Sequence, residues 1–244
     1  MTGPFKLIGQ IRCAEPIVRK VVHITRTRNV PDKVVDAVVS GIRLILDTGR
    51  LNIEIKDLRN WGLNADSTIE YQSLNWYQSQ ASIPLDHGFG RQVDSGHFLS
   101  LALREPFQLV EPHFEAMIID NDLNSQRENG QYINFLFAGT WPEFGFVLSI
   151  ARLSTLPEKY FLSIIRKWAA HEFGHTFGLV NRARNAAYSI GMHCAGEKGP
   201  CLMQQALSME ESIRQHLEEE KTKQEICPDC QEELKTRALT FNHP

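Results

Sequence analysis

The chain lacks any long apolar run. Nothing in its 244 residues approaches the roughly 20 consecutive apolar positions needed to cross a bilayer. The amino-terminal stretch "MTGPFKLIGQIRC" lacks a basic segment followed by a long apolar one, so no secretory signal is read there and the expected compartment is the cytoplasm. An excess of either charge is lacking too. A formal net charge of −3 offers nothing to draw nucleic acid or an anionic membrane surface, and neither is expected as a partner. Internal repeats and low-complexity stretches are missing, apart from the charged run "EEEKTKQE", which excludes a repeat array. With 42% hydrophobic and 23% charged residues, the chain reads as one globular domain, or a domain with a small appendage.

Cysteine is scarce but unevenly placed. Of the five, Cys13 stands alone and reads as a small buried residue, while Cys194, Cys201, Cys227 and Cys230 all lie in the last quarter. In a chain without a secretory signal, such a cluster points to metal rather than disulfides. The pair in "CPDC" has the spacing of a zinc knuckle, and four thiolates around a tetrahedral ion leave no open position, which marks a structural site.

Periodicity supplies the elements. A strand is expected at "FKLIGQI". A helix is expected over 29–49, where Val34, Val35, Val38, Val39, Ile42, Ile45 and Leu46 recur at helical spacing and Gly49 offers a stop. A strand facing a core on one side follows at "LNIEIKDL", then irregular structure with a short helix over 61–89, and a helix at "SGHFLSLALREP" ending at Pro106. Three strands are expected at "FEAMIID", "QYINFLF" and "FGFVLSIARL". A long helix then runs from about Pro157 to Gly178, with Thr155 as its cap. A last one starts at the capping box Ser208…Glu211 and continues to about Gln224. Together these predict an α+β fold, a mixed β-sheet with packed helices.

The long helix carries "HEFGH". Histidines four residues apart share a helix face, so His171 and His175 can address one zinc ion. Zinc acidifies a water, and Glu172, on the same turn, is placed to take that proton and pass it to a leaving amine. Glycine costs about 1 kcal/mol relative to alanine in a helix; Gly174 and Gly178 are intelligible if the chain must turn to bring back another ligand. On spacing alone the third ligand stays open between Asn181, His193 and a downstream glutamate such as Glu197, Glu210 or Glu211.

"HEFGHTFG", then "HC", a second cysteine, Met203 two residues later and finally "CPDC" resemble the pattern of the archaemetzincins, zinc peptidases within the metzincin clan. "GRQVDSGHFLSLAL", "IIDNDL", "NFLFAG" and "VLSIARL" resemble the family as well, so the likeness spans roughly residues 85–230. The resemblance implies a metzincin-like mixed sheet with an active-site helix and two zinc ions per chain, one catalytic and one structural. His171, His175 and His193 would hold the catalytic ion, with Glu172 as general base and Met203 as the methionine-turn residue beneath it. Cys194, Cys201, Cys227 and Cys230 would hold the structural ion. The implied substrate is a peptide, added to an edge strand at "FGFVLSIARL". The implied division is residues 1–178 as a sheet-and-helix subdomain ending in the active-site helix. Residues 179–244 would form a zinc-stapled subdomain carrying the third ligand and the methionine turn.

The chain departs from that pattern where "NRARNAAYSIGM" displaces the third histidine, and where Gln205 stands in place of the tyrosine some metzincins carry. Chemistry favours His193, because imidazole is a better zinc ligand than a neutral amide oxygen. Its junction with Cys194 would also let the cysteine site clamp it, and residues 181–192 would then form an excursion that returns the chain to the metal. A zinc metallopeptidase is the leading expectation; the alternative is a non-catalytic, zinc-containing peptide-binding module with the same fold. A zinc ribbon gripping nucleic acid is disfavoured by the acidic "MEESIRQHLEEE" beside the cysteines. His23, His87, His97, His113, His216 and His243 lack ligand spacing and read as core or surface residues, and Tyr188 as loop packing.

Overall fold

The structure, a computed structural model, describes residues 19–59, 73–126, 130–180 and 193–242. The expected strand at 5–11, Cys13, the excursion 181–192 with Asn181 and Tyr188, and His243 lie outside those residues. Chain order runs β1 (Val21–Arg26), α1 (Asp32–Gly49), β2 (Glu54–Arg59), α2 (Leu74–Gln80), β3 (Ser82–Asp86), β4 (Arg91–Asp94), α3 (Ser95–Leu103) and α4 (Pro106–Val110). It continues β5 (Phe114–Ile119), β6 (Leu123–Asn124), β7 (Ala138–Trp141), β8 (Gly145–Ser149), α5 (Glu158–Thr176), α6 (Met209–Thr222) and α7 (Pro228–Asn242).

The main sheet has the order β2-β1-β5-β8-β7, parallel except for the antiparallel pairing of β7 with β8. Side chains alternate across it with the period of 2 that strands impose. Val22, Ile24, Phe114, Ala116, Ile118, Phe146 and Leu148 join the core made with α1 and α5, whereas Met117, Ile119 and Val147 join the one made with α2 and α3. A second sheet, β3-β4-β6, sits with the latter. Asp122, fully buried, anchors it: Arg152 donates to both carboxylate oxygens at 2.9 Å, and Gln92 Nε2 donates to Oδ2 at 2.7 Å.

Several local expectations are corrected. α1 does end at Gly49, but that glycine is buried as the last helical residue, and it is Arg50 that takes the left-handed cap conformation at φ 54°. Thr155 lies in a short 3₁₀ turn, donating to Arg152 O, and Pro157 caps α5. Pro106 does not simply stop a helix, because α3 ends at Leu103 and the proline opens α4, where its missing N–H costs nothing. Residues 131–137 form isolated bridges rather than a strand: Phe135 meets Phe137 edge to face, Phe137 lies tilted against Trp168, and ladder pairing begins only at Ala138. "FGFVLSIARL" is not an edge either. All five residues of β8 are buried between β5 and β7, and β7 ends the sheet.

The carboxy terminus is not a loose tail held by cysteines alone. α7 packs Leu234 against Gly49 of α1 and Phe241 against Phe114 and Phe177.

Candidate metal centre

α5 is placed by close approach to α1. A Cβ on Gly41 would lie 2.3 Å from the Arg166 carbonyl oxygen, so the two backbones nearly touch one turn before the histidines. α5 ends at Thr176 in a Schellman arrangement: Gly178 adopts φ 83°, Leu179 N–H donates to Gly174 O at 2.8 Å, and Gly178 N–H donates to His175 O at 2.9 Å. Gly178 thereby turns the chain out of the helix just past His175. The other glycine of the motif answers a different demand. A Cβ on Gly174 would stand 2.6 Å from Met203 Sδ, so the sulfur occupies the space beside the backbone between the two histidines. Met203 is fully buried there.

His171, His175 and His193 each offer a ring nitrogen within 4.8 Å of the other two. His171 Nε2 and His175 Nε2 are 3.1 Å apart, and ring centroids are 4.7–5.1 Å apart. His171 Nδ1 donates to Leu202 O at 2.6 Å, which leaves Nε2 as its lone-pair atom. That carbonyl is fixed in turn, since Leu202 N–H donates to Glu225 O, and Cys194 N–H donates to Met203 O. Burial, then the neighbouring imidazoles, holds the His171 pKa well below its ordinary value. Burial and His193 bring His175 down to about 4. Neutral imidazoles are what a metal requires. Zinc bonds of about 2.0–2.1 Å place tetrahedral nitrogens about 3.3–3.4 Å apart, so this donor set fits the ion.

Glu172 is buried on the adjoining turn. Thr140 Oγ1, on β7, donates to Glu172 Oε2, and Thr176 Oγ1 donates to the Glu172 carbonyl at 3.0 Å. Burial raises the carboxyl pKa to about 7 against the lowering effect of the Thr140 hydrogen bond. Thr140 is a contact that sequence reasoning missed; a lone threonine in a short strand carries no spacing signal, and its partner is 32 residues away.

Cys194, Cys201, Cys227 and Cys230 form a second group, their sulfurs all within 4.8 Å of one another and none in a disulfide. Cys194 Sγ and Cys227 Sγ are 3.6 Å apart; bonds of about 2.3 Å to a tetrahedral zinc would set sulfurs about 3.8 Å apart. Sulfur–sulfur hydrogen bonds pull Cys194 and Cys227 below the ordinary thiol range and push Cys230 and Cys201 above it, a cluster sharing protons that a cation would replace. Both donor sets fit zinc. Buried Lys167 of α5 donates to Glu219 of α6 at 2.8 Å, tying the motif helix to the segment between the cysteine pairs. A cleft of about 730 Å³ opens beside His193, walled by Gln204, Gln205, Arg214 and Glu218.

The mixed sheet thus lies over a helix that brings this histidine set together. No family model matches the sequence, and no curated protein matches it. Among solved structures, the 1.5 Å crystal structure of archaemetzincin from Methanopyrus kandleri is similar, with a TM-score of 0.59. The likeness covers 91% of this chain and 96% of that one at 19% identity. The fold is archaemetzincin-like, in a sequence far diverged from that structure. Among the described residues, no helix is long and apolar enough to cross a membrane.

Proposed function

We propose that the chain is a zinc-dependent metallopeptidase, with a catalytic ion held by His171, His175 and His193 and a structural ion held by the four cysteines. The observation that carries this reading is Glu172: a buried carboxylate, hydrogen-bonded by Thr140, on the same helix turns as two converging neutral imidazoles. A pure binding module has no use for a base there. Zinc at such a site supplies Lewis acidity toward a water and a scissile carbonyl.

The remaining work falls to the chain. An extended peptide pairs with the outer edge of β7, the last strand of the sheet among the described residues, by main-chain hydrogen bonds, which lays its scissile bond over α5. Glu172, at a pKa near neutrality, takes the proton of the attacking water and gives it to the leaving amine. Thr140 holds the carboxylate in register with the strand that binds the substrate. Met203, beside Gly174, supports the floor of the site, and the cysteine site fixes the backbone from which His193 projects. The test is hydrolysis of a peptide library, read by mass spectrometry. Cleavage that a chelator abolishes and added zinc restores supports the reading; no cleavage by fully zinc-loaded protein refutes it in favour of the binding module.

A further inference from the structure

The sheet face turned away from α5 carries imidazole and carboxylate groups that peptidase chemistry leaves unused. The parallel register of β1 and β5 sets His23 directly beside Glu115. His113, two residues before Glu115, projects to the same side. Each of the three offers a ligand atom within 4.8 Å of the other two. His23 is 2% exposed and His113 is fully buried.

The details are those of a prepared ligand set. His113 Nδ1 lies 2.5 Å from the Glu111 carbonyl oxygen, which can only accept, so Nδ1 carries a proton and Nε2 is the atom turned toward Glu115. Metal-binding histidines are commonly oriented in this way. That Nε2 lies 2.7 Å from Glu115 Oε1, with one proton between them. A plain buried His–Glu pair would end there. Instead three more buried atoms, His23 Nδ1, Glu115 Oε2 and Thr25 Oγ1, have no hydrogen-bond partner among the described residues. Buried polar atoms are seldom left so. The Phe107 ring is stacked on His23, with centroids 5.6 Å apart and planes 11° apart, and holds the imidazole against His113. Alongside lies a cavity of about 40 Å³ whose wall includes Thr25, Glu105 and Glu115, large enough for a water.

We propose that His23, His113 and Glu115 form a third metal site, for a zinc-class divalent ion, with a water in the adjoining cavity as fourth ligand. Two imidazoles and one carboxylate are a donor set that suits zinc. Bonds of about 2.0–2.2 Å require ligand atoms about 3.3–3.6 Å apart, so side-chain shifts of about an ångström close the triangle. The ion takes the place of the proton between Nε2 and Oε1, which leaves to solvent. Enclosed in the sheet, the site cross-links β1 to β5 and serves stability rather than turnover. It shares no ligand with the other two donor sets, so its test stands apart from the peptidase reading.

The experiment is zinc content per chain after equilibrium dialysis against a fixed free zinc concentration. Wild type is compared with His23→Gln and Glu115→Gln, each checked for folding by circular dichroism. The expected result is one zinc fewer per chain in each variant, and a melting temperature that responds less to zinc. Equal zinc content in wild type and a folded variant would overturn the site. Should neither variant fold, anomalous scattering at the zinc edge from wild-type crystals decides. A peak within bonding distance of all three side chains supports the site, and no peak there refutes it.

Discussion

Replacing Gly41 by alanine tests how α5 is held. On intrinsic preference alone, alanine should stabilise a helix interior by about 1 kcal/mol over glycine. The structure reverses the sign. The new methyl would meet the Arg166 carbonyl oxygen at 2.3 Å, Ala170 N at 3.0 Å and Ala169 Cβ at 3.1 Å. Carbon and oxygen come no closer than about 3.3 Å in favourable contact, so the helices must part by about 1 Å. Two of the three obstacles are backbone atoms, which cannot swing aside as a side chain would. Overpacking of a tight core costs about 1–3 kcal/mol, and the unyielding partners place this site in the upper half of that range. Net of the helical gain, we expect a loss of about 1–2 kcal/mol, or about 2–8 °C in melting temperature for a chain of this size. The assay is thermal unfolding at fixed zinc concentration, because bound metal shifts the midpoint by mass action. Zinc affinity should fall as well, since His171 follows Ala170 directly. A melting temperature equal to or above that of wild type would refute the backbone contact between α1 and α5.

Thr140→Val removes the donor to Glu172 without changing side-chain volume; kcat should fall by about tenfold with KM and zinc content little altered, and an unchanged kcat would deny Thr140 its positioning role. Cys230→Ser should lower zinc content by one ion per chain and lower the melting temperature, because metal binding at such a site is folding free energy; an unchanged zinc count would break the four-thiolate assignment. His193→Ala should lose one ion and all hydrolysis while Asn181→Ala loses neither, and the opposite pattern would make Asn181 the third ligand.

What could be read from the sequence depended on how far apart the interacting residues lie. α1, α5 and α6 declare themselves locally, through apolar spacing and, for α6, through Ser208 accepting from Glu211 N–H as its capping box requires. α7 was missed although Cys230, Leu234, Ala238 and Phe241 recur at helical spacing; the cysteine pair drew attention to metal instead. The alternation in "QYINFLF" reports which side chains face a core and says nothing about whether a partner strand runs alongside. β8 betrays its central place by an unbroken buried run, the pattern of a strand covered on both faces, whereas the edge strand β7 is too short to show one. At the histidine site, "HEFGH" is legible because one helix presents both imidazoles. The Thr140–Glu172 contact and the His23–Glu115 pairing are not, because packing of α5 on the sheet makes the first, sheet register makes the second, and no local spacing records either.

Glu172 is proposed as the base for hydrolysis beside a zinc ion it does not itself bind. The most direct test is Glu172→Ala, with peptide cleavage and zinc content measured on the same preparation. Hydrolysis should disappear while zinc content and melting temperature stay close to wild type, since the change removes the proton carrier and no ligand. Cleavage retained at the wild-type rate in that variant would contradict the mechanism.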